Sequence, residues 1–383
     1  MDHIQLLERL VAIDSVNPAL VPGAAGESRI AEFVAGWMRD AGIRVEIEYA
    51  AAGRPNVIGI IPGTSGGRSL MLNAHMDTVG AGGMRDPFCP RVENGRLYGR
   101  GAYDMKGSLA AVLIAAAEIA RNPIDGDLIV TAVCDEEYAS IGTASVLKRW
   151  RADAAVVTEP TGLDVCIAHK GFVWMDIESQ GIAAHGSRPD LGVDAIADMG
   201  PVLVGIVELD RALRSTRRHA LLGSGSIHAS LIAGGEELST YPAHCRLSVE
   251  RRTVPGETAR QAEREIAEIL ARAAGGERIS KYTLRTTLER RPFEVGEDED
   301  IVSTVRRVIH TATGREPRLY GETPWFDSAL ISGAGIPCVI FGPGGGGAHA
   351  DVEYSELNDV KACAQTLVRA AAAFCGRGVT ASR

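Results

Sequence analysis

The sequence lacks any apolar run near the roughly 18 residues needed to cross a bilayer, which argues against a membrane-spanning protein. It also lacks a C-x-x-C pair. Its seven cysteines (Cys89, Cys134, Cys166, Cys245, Cys338, Cys363 and Cys375) are an odd number, which suits buried thiols in a reducing compartment and argues against a disulfide framework. Positive charge is in short supply. Lys and Arg number 40 against 49 Asp and Glu, and the formal charge of −9 repels polyanions, so nucleic acid is not an expected partner. The one dense basic stretch, "RALRSTRRH", reads as a helix end and a solvated loop. The opening "MDHIQLLERLVAIDS" is acidic and amphipathic, without the basic, apolar, small-residue order of an export signal, so the cytoplasm is the expected location.

What is present points to a large core. The 383 residues, 45% hydrophobic and 23% charged, exceed the roughly 100–200 of one domain, so two domains or one with an insertion are expected. Helical and strand-like segments alternate as far as residue 170, the pattern of a mostly parallel sheet with helices on both faces. Strands are expected at residues 45–49, 57–61, 70–74, 128–133, 154–158 and 165–168, and helices at 4–13, 28–41 and 107–120. The last of these, "GSLAAVLIAAAEIA", is apolar nearly all round and should be buried. Residues 171–289 change to strand, helix, two strands, helix and strand, which reads as a smaller α+β insertion. The first style resumes with helices at 301–311, 327–332 and 357–374 and a strand at 338–341. One catalytic domain is therefore expected from residues 1–170 and 290–383.

The chemistry-bearing residues cluster at the ends of the expected strands. In "SLMLNAHMDTVG", His75 and Asp77 share one side of an extended chain, so the Asp could orient the ring of a metal-binding His; a turn-capping Asp beside a solvated His fits the same letters. Glu136 and Glu137 follow an apolar strand in "CDEEYAS", where adjacent like charges are costly without a cation. Alternation would send one towards metal and leave its neighbour to receive a proton, and a charged loop is the other reading. Asp104 in "GRGAYDMKG" precedes the buried helix, and Glu159 in "AVVTEP" follows a strand; a helix cap and a solvated loop are their plain alternatives. Strand carboxyl ends are where open α/β sheets gather ligands, so these sites can converge. His349 in "FGPGGGGAHAD" sits among glycines that permit sharp turns. Two His and three carboxylates suit a pair of borderline divalent cations, which polarise a carbonyl and lower the pKa of a shared water, as amide hydrolysis requires.

Other motifs fit less well. "GPGGGG" lacks the Gly-Lys-Ser/Thr ending of a phosphate loop, and "GRGAYD" puts Asp104 where a dinucleotide fingerprint needs its third glycine. "GTSGG", residues 63–67, has the letters of a nucleophile elbow but lies between two strands, so a hairpin loop is expected there.

Taken in order, "HMD", "GRGAYDMKG", "DEE", "TEP", "AAHGSRPDLGVDAI", "ERRTVPGE" and "FGPGGGGAH" resemble the dinuclear zinc aminoacylase/carboxypeptidase family along nearly the whole chain. That family includes acetylornithine deacetylase, succinyl-diaminopimelate desuccinylase, aminoacylases and glutamate carboxypeptidases. The resemblance implies that Asp104 bridges two metals, with His75 and Glu159 completing one site and Glu137 and His349 the other. It makes Glu136 the general base and Asp77 the partner of His75. It makes residues 171–289 a dimerisation lid whose His185 reaches into the partner's site to stabilise the oxyanion. Arg252 would hold the substrate carboxylate, with Arg251 facing solvent on the opposite side of its strand, and His228 falls near the lid's substrate face. Many members carry an Asn where this chain reads "LSTYPAHC", and "GETPWFDSAL" puts Trp325 and Phe326 in a segment that often lines the specificity pocket. Both departures bear on which acyl-amino acid is preferred.

The implied activity is hydrolysis of N-acyl amino acids by two divalent ions, zinc before cobalt or manganese, in a homodimer. A dipeptidase or carboxypeptidase of the same family is the nearer alternative. A binding protein that kept the fold is the remote one.

Overall fold

Four apolar segments, Gly67–His75, Gly126–Val133, Ala154–Val157 and Cys338–Ile340, lie buried and parallel in a computed structural model that describes residues 2–275 and 281–376. Their order across the sheet is 126–133, 67–75, 154–157, 338–340. Near-continuous Val, Ile, Leu and Ala suit strands covered on both faces. Antiparallel neighbours extend the sheet: Arg54–Ile61 and then Arg44–Ala51 on one side, and Val165–His169 on the other. The class is α/β with a mostly parallel centre.

Helix His3–Val11, which lies against the larger unit's core, starts on a side-chain cap. Asp2 accepts from the Gln5 amide while the Gln5 side chain accepts from the Asp2 amide, a reciprocal box that starts helix His3–Val11 with Leu6, Leu7, Leu10 and Val11 turned inward. Helix Gly107–Arg121 is buried on nearly every side, and its alanines let helix Leu357–Cys375 pack closely. Six cysteines are buried and none of the described cysteines forms a disulfide, whereas Cys89, expected to be buried too, is exposed.

Two features differ from the sequence reading. Residues 63–67 do not form a hairpin loop, because the strands they join are not paired with each other; Gly126–Val133 lies between them. The connection passes over the end of that strand, where the amides of Thr64, Ser65 and Gly67 bond to the carbonyls of Ile124 and Asp125. A Cβ on Gly63 would stand 2.4 Å from the Asp125 carbonyl oxygen, so the crossing requires glycine there. The second feature is a small sheet of Gly345–Gly346, Tyr354–Glu356, Arg96–Tyr98 and Arg91–Glu93, in that order. Its strands are too short and too charged to carry an apolar signal.

The chain divides into two units: Met1–Ile167 with Val295–Tyr320 and Phe326–Arg383, and Ala168–Glu294 with Gly321–Trp325. The expected domains, residues 1–170 with 290–383 and residues 171–289, include residues 1, 276–280 and 377–383, which lie outside the described residues. In the smaller unit, four antiparallel strands run in the order Ser226–Gly234, His244–Thr253, Gly171–Gln180, Tyr282–Arg290. Helices Ala195–Arg214 and Ala259–Ala273, capped by Asp194 and Thr258, pack on it around Met175, Ile177, Leu247 and Val249. Arg251 belongs to this covered side. It does not face solvent as expected but is 1% exposed and ion-paired with Glu257 and Glu265, because alternation puts it in register with Val249 and Leu247.

Candidate metal centre

Register brings the site together. His75 stands opposite Val133 on one side, and Asn73 stands opposite Val157 on the other, so Glu159 comes level with His75 just past the sheet's carboxyl edge. Glu136 and Glu137 continue from Gly126–Val133, and His349 lies in the hairpin after Cys338–Ile340. Asp104 arrives from the turn before helix Gly107–Arg121. All of these residues lie at the carboxyl end of the parallel strands, the position where such sheets gather ligands.

Asp104 divides its oxygens between two groups. Its Oδ1 is 3.2 Å from His75 Nε2, and its Oδ2 is 3.4 Å from His349 Nε2. Glu159 Oε1 lies 3.7 Å from His75 Nε2, and Glu137 Oε2 lies 3.0 Å from His349 Nε2. Donor atoms of His75, Asp104 and Glu159 fall within 4.8 Å of one another, as do those of Asp104, Glu137 and His349. Glu136 Oε2 is 3.9 Å from His75 Nε2.

Asp77 acts in two ways. The ring Nδ1 of His75 is 2.9 Å from the Asp77 carbonyl oxygen and therefore donates to it, which turns Nε2 to the cluster as the ring atom a cation would take in place of a proton. The Asp77 carboxylate is 3.7 Å from Nδ1, so the main chain orients the ring. The carboxylate instead accepts from the amides of Glu136 and Glu137 at 3.1 and 3.2 Å, and from Asn17 Nδ2 at 2.8 Å. It thereby fixes the turn on which both glutamates sit.

Electrostatic strain runs through the cluster. Burial, with Glu159 nearby, pushes the Glu136 carboxyl well above its usual range, and burial does the same to Glu159. Burial followed by Asp104 raises Glu137 to about 7. Burial opposes a proton on His75, but the bond to Asp104 and the charges of Glu159, Glu136 and Asp77 outweigh it and raise this ring. Hydrogen bonds to Asp104 and Glu137 raise His349 to about 10. Against its own burial, Asp104 is held low by His349 and His75. Glu136 Oε1 and Glu137 Oε1 are buried without a hydrogen-bond partner. Repelling carboxylates, two imidazoles and orphaned oxygens around a split aspartate fit two divalent cations, the charge that every one of these donors needs.

Several residues that support the cluster gave no sequence signal. Arg54 donates to Asp135 at 2.8 Å, to Glu27 at 2.7 Å and to Asn17 at 3.2 Å, below the Asp77 carboxylate. Glu353, Arg100 and Asp327 are buried beside the same loops. A lone charged letter in a loop reads as solvated, and nothing local marks it otherwise. The remaining candidates belong to the smaller unit. His185 is exposed, with Nδ1 2.8 Å from Ser187 Oγ. Arg252 packs over the Phe172 ring at 5.2 Å and donates to Glu250 at 2.7 Å. His228 is exposed and stands opposite Glu250 on the neighbouring strand. Trp325 is 9% exposed, its indole N–H bonded to the Arg291 carbonyl.

Residues 71–373 match the family described as Peptidase family M20/M25/M40. The chain is 31% identical to N-formyl-4-amino-5-aminomethyl-2-methylpyrimidine deformylase of Bacillus subtilis, over 89% of this chain and 87% of that protein. It is 27% identical to acetylornithine deacetylase of Erwinia tasmaniensis, over 98% of each. Its fold is shared with a dinuclear metal-binding peptidase of the M20 family from Bacillus subtilis (TM-score 0.73, 15% identity, 97% of each chain covered). The chain belongs to the M20/M25/M40 peptidase family and is a metal-dependent hydrolase of linear amides.

Proposed function

We propose that this hydrolase removes a small acyl group from the nitrogen of an amino acid. The observation that carries the reading is Asp104, whose two oxygens face two separate His–carboxylate groups with Glu136 beside them. His75 and Glu159 would hold one ion with Asp104, and Glu137 and His349 the other. Zinc suits this donor set, as do cobalt and manganese. Bound there, such ions would polarise the amide carbonyl and make water easier to deprotonate.

Glu136 supplies the proton chemistry. Its buried, unpartnered oxygen removes a proton from the attacking water, and the carboxyl then delivers that proton to the amide nitrogen as the C–N bond breaks. Asp77 keeps the Glu136 amide, and so the base, in place. His185 reaches across into the partner subunit's site and donates to the oxyanion developing there, and Arg252 holds the substrate carboxylate in a two-pronged grip, with His228 near the lid's substrate face. Trp325 and Phe326 bear on side-chain preference. The deformylase and the deacetylase among the relatives both detach small acyl groups from nitrogen, which favours a small acyl group here. The peptidase sharing the fold makes a dipeptide the second substrate class to try.

Replacing Glu136 with Gln should leave two ions bound, as counted by elemental analysis, while turnover drops roughly 10²–10⁴-fold. Wild-type turnover in that variant would remove Glu136 as the base. Acetylornithine, succinyl-diaminopimelate and a few dipeptides assayed side by side separate deacylase from dipeptidase.

A further inference from the structure

Asp104 and His349 come from opposite ends of the chain, yet their separation defines the second donor group. The main chain between them is joined by one buried ion pair. Glu353 uses both oxygens: Oε1 accepts from the amides of Tyr103 and Asp104 at 2.9 and 3.0 Å, while Oε2 accepts from the Gly101 amide at 3.0 Å and from Arg100 Nη1 at 2.7 Å. The other prong of Arg100 donates to the Ala350 carbonyl at 3.0 Å, one residue from His349. Arg100 is 1% exposed and Glu353 2%.

The backbone on the His349 side is demanding. Gly347 has φ +80 and no room for a Cβ, which would fall 1.9 Å from the Val352 carbonyl oxygen, and His349 itself has φ +61. A left-handed histidine persists only where its surroundings hold it. The surroundings here are a hairpin whose strand Tyr354–Glu356 pairs with Arg96–Tyr98, next to the Arg100–Glu353 pair. His349 is half exposed, so packing on its own ring does little to fix it.

We propose that Arg100 and Glu353 are positioning residues that set the distance between Asp104 and His349, and with it the affinity for the ion held by Asp104, Glu137 and His349. This rests on the two-ion reading of the site. A buried pair bonded to the main chain at both loops is worth more as a spacer than as a source of stability, since the cost of desolvating two charges offsets much of their attraction. The ion at His75, Asp104 and Glu159 should feel the pair less, because His75 and Glu159 are carried by strands and not by these loops.

The test is calorimetric titration of ion-stripped protein with zinc, which does not depend on turnover. Wild type should take two ions. Glu353→Gln puts an amide N–H₂ against a backbone N–H or against Arg100, and should weaken one ion about 10–100-fold while leaving the other nearly unchanged. Arg100→Lys keeps the buried charge but cannot reach both Glu353 and Ala350, and should weaken the same ion less. A His349→Ala background should make Glu353→Gln almost silent, because both changes act on one ion. Two ions in wild type with both weakened alike, or neither moved while the melting temperature falls, would overturn the proposal and assign the pair to stability alone. Fewer than two ions in wild type would remove the two-ion reading and the spacer with it.

Discussion

Asp77 shows how one side chain sets a site without touching what the site binds. Its carbonyl fixes the tautomer of His75, and its carboxylate collects the amides of Glu136 and Glu137. The carboxylate is held from below by Asn17, whose Nδ2 also reaches Asp135 at 3.1 Å, and Arg54 closes the set with Glu27 and Asp135. Arg54 is thus the guanidinium that pairs with the buried acids Glu27 and Asp135. Burial raises Glu27 even with Arg54 beside it, a sign of how much charge that guanidinium compensates. Replacing Arg54 with Met should cost about 3–5 kcal/mol, because two buried carboxylates lose their partner. Urea unfolding of the ion-stripped protein measures this, and adding Glu27→Gln should recover part of the loss. A change below 1 kcal/mol would mean that water or Asn17 already satisfies those acids.

At the scale of elements, four adjacent parallel strands end side by side and deliver His75, the Glu136–Glu137 turn, Glu159 and the His349 hairpin to one edge. Much of this can be read from the letters, because each strand is an apolar run and His75, Glu136, Glu137 and Glu159 stand at or just past the end of one, whereas Asp104 precedes a buried helix and His349 follows a glycine-rich loop. The supporting layer cannot be read in the same way. Glu353, Arg54 and Asn17 act through partners dozens to hundreds of residues away, and Arg91–Glu93 and Arg96–Tyr98 pair despite a charged sequence. The path of residues 63–67 was hidden too, since a short glycine-containing link looks the same whether its strands pair or another lies between them. The strand ends also carry a pH signature. In ion-free protein Glu137 is raised from 4.5 to about 7 by burial and then by Asp104, so the folded chain binds this proton more tightly than the unfolded chain does. That contribution to stability is complete below about 4.5 and is lost as pH rises through about 7. Glu136, Glu159 and His349 shift the same way. The melting temperature of ion-free protein should therefore fall between about pH 5 and about pH 8, while zinc affinity rises over the same window as ions displace these protons. Scanning calorimetry with and without chelator checks both, and an ion-free melting temperature that rises with pH would contradict the charge balance described for the cluster.

At the scale of the whole molecule, the smaller unit carries an edge that a monomer would be expected to protect. Strand Ser226–Gly234 lies at the end of its sheet, and "ASLIAG" offers neither the charges nor the proline that usually blunt an edge. Leu231 is 72% exposed and Ile232 53%, and the adjacent helix Ala195–Arg214 exposes Val204 at 58% and Val207 at 49%. Among the described residues this strand pairs on one side only, and an open edge beside exposed apolar helix residues suits a second copy of the same strand, paired about a two-fold axis. We propose this edge as the homodimer interface, which is also what a His185 donated between subunits requires. Sedimentation should then give twice the 40.5 kDa of one chain, and Leu231→Glu should give the single mass. If His185 serves the partner's site, the Leu231→Glu monomer should keep its ions and lose roughly 10²–10³-fold in turnover, the cost of one oxyanion donor. A wild-type chain that sediments at the single mass would leave the edge without a partner. A Leu231→Glu monomer with full turnover would confine the chemistry to one subunit and take His185 out of it.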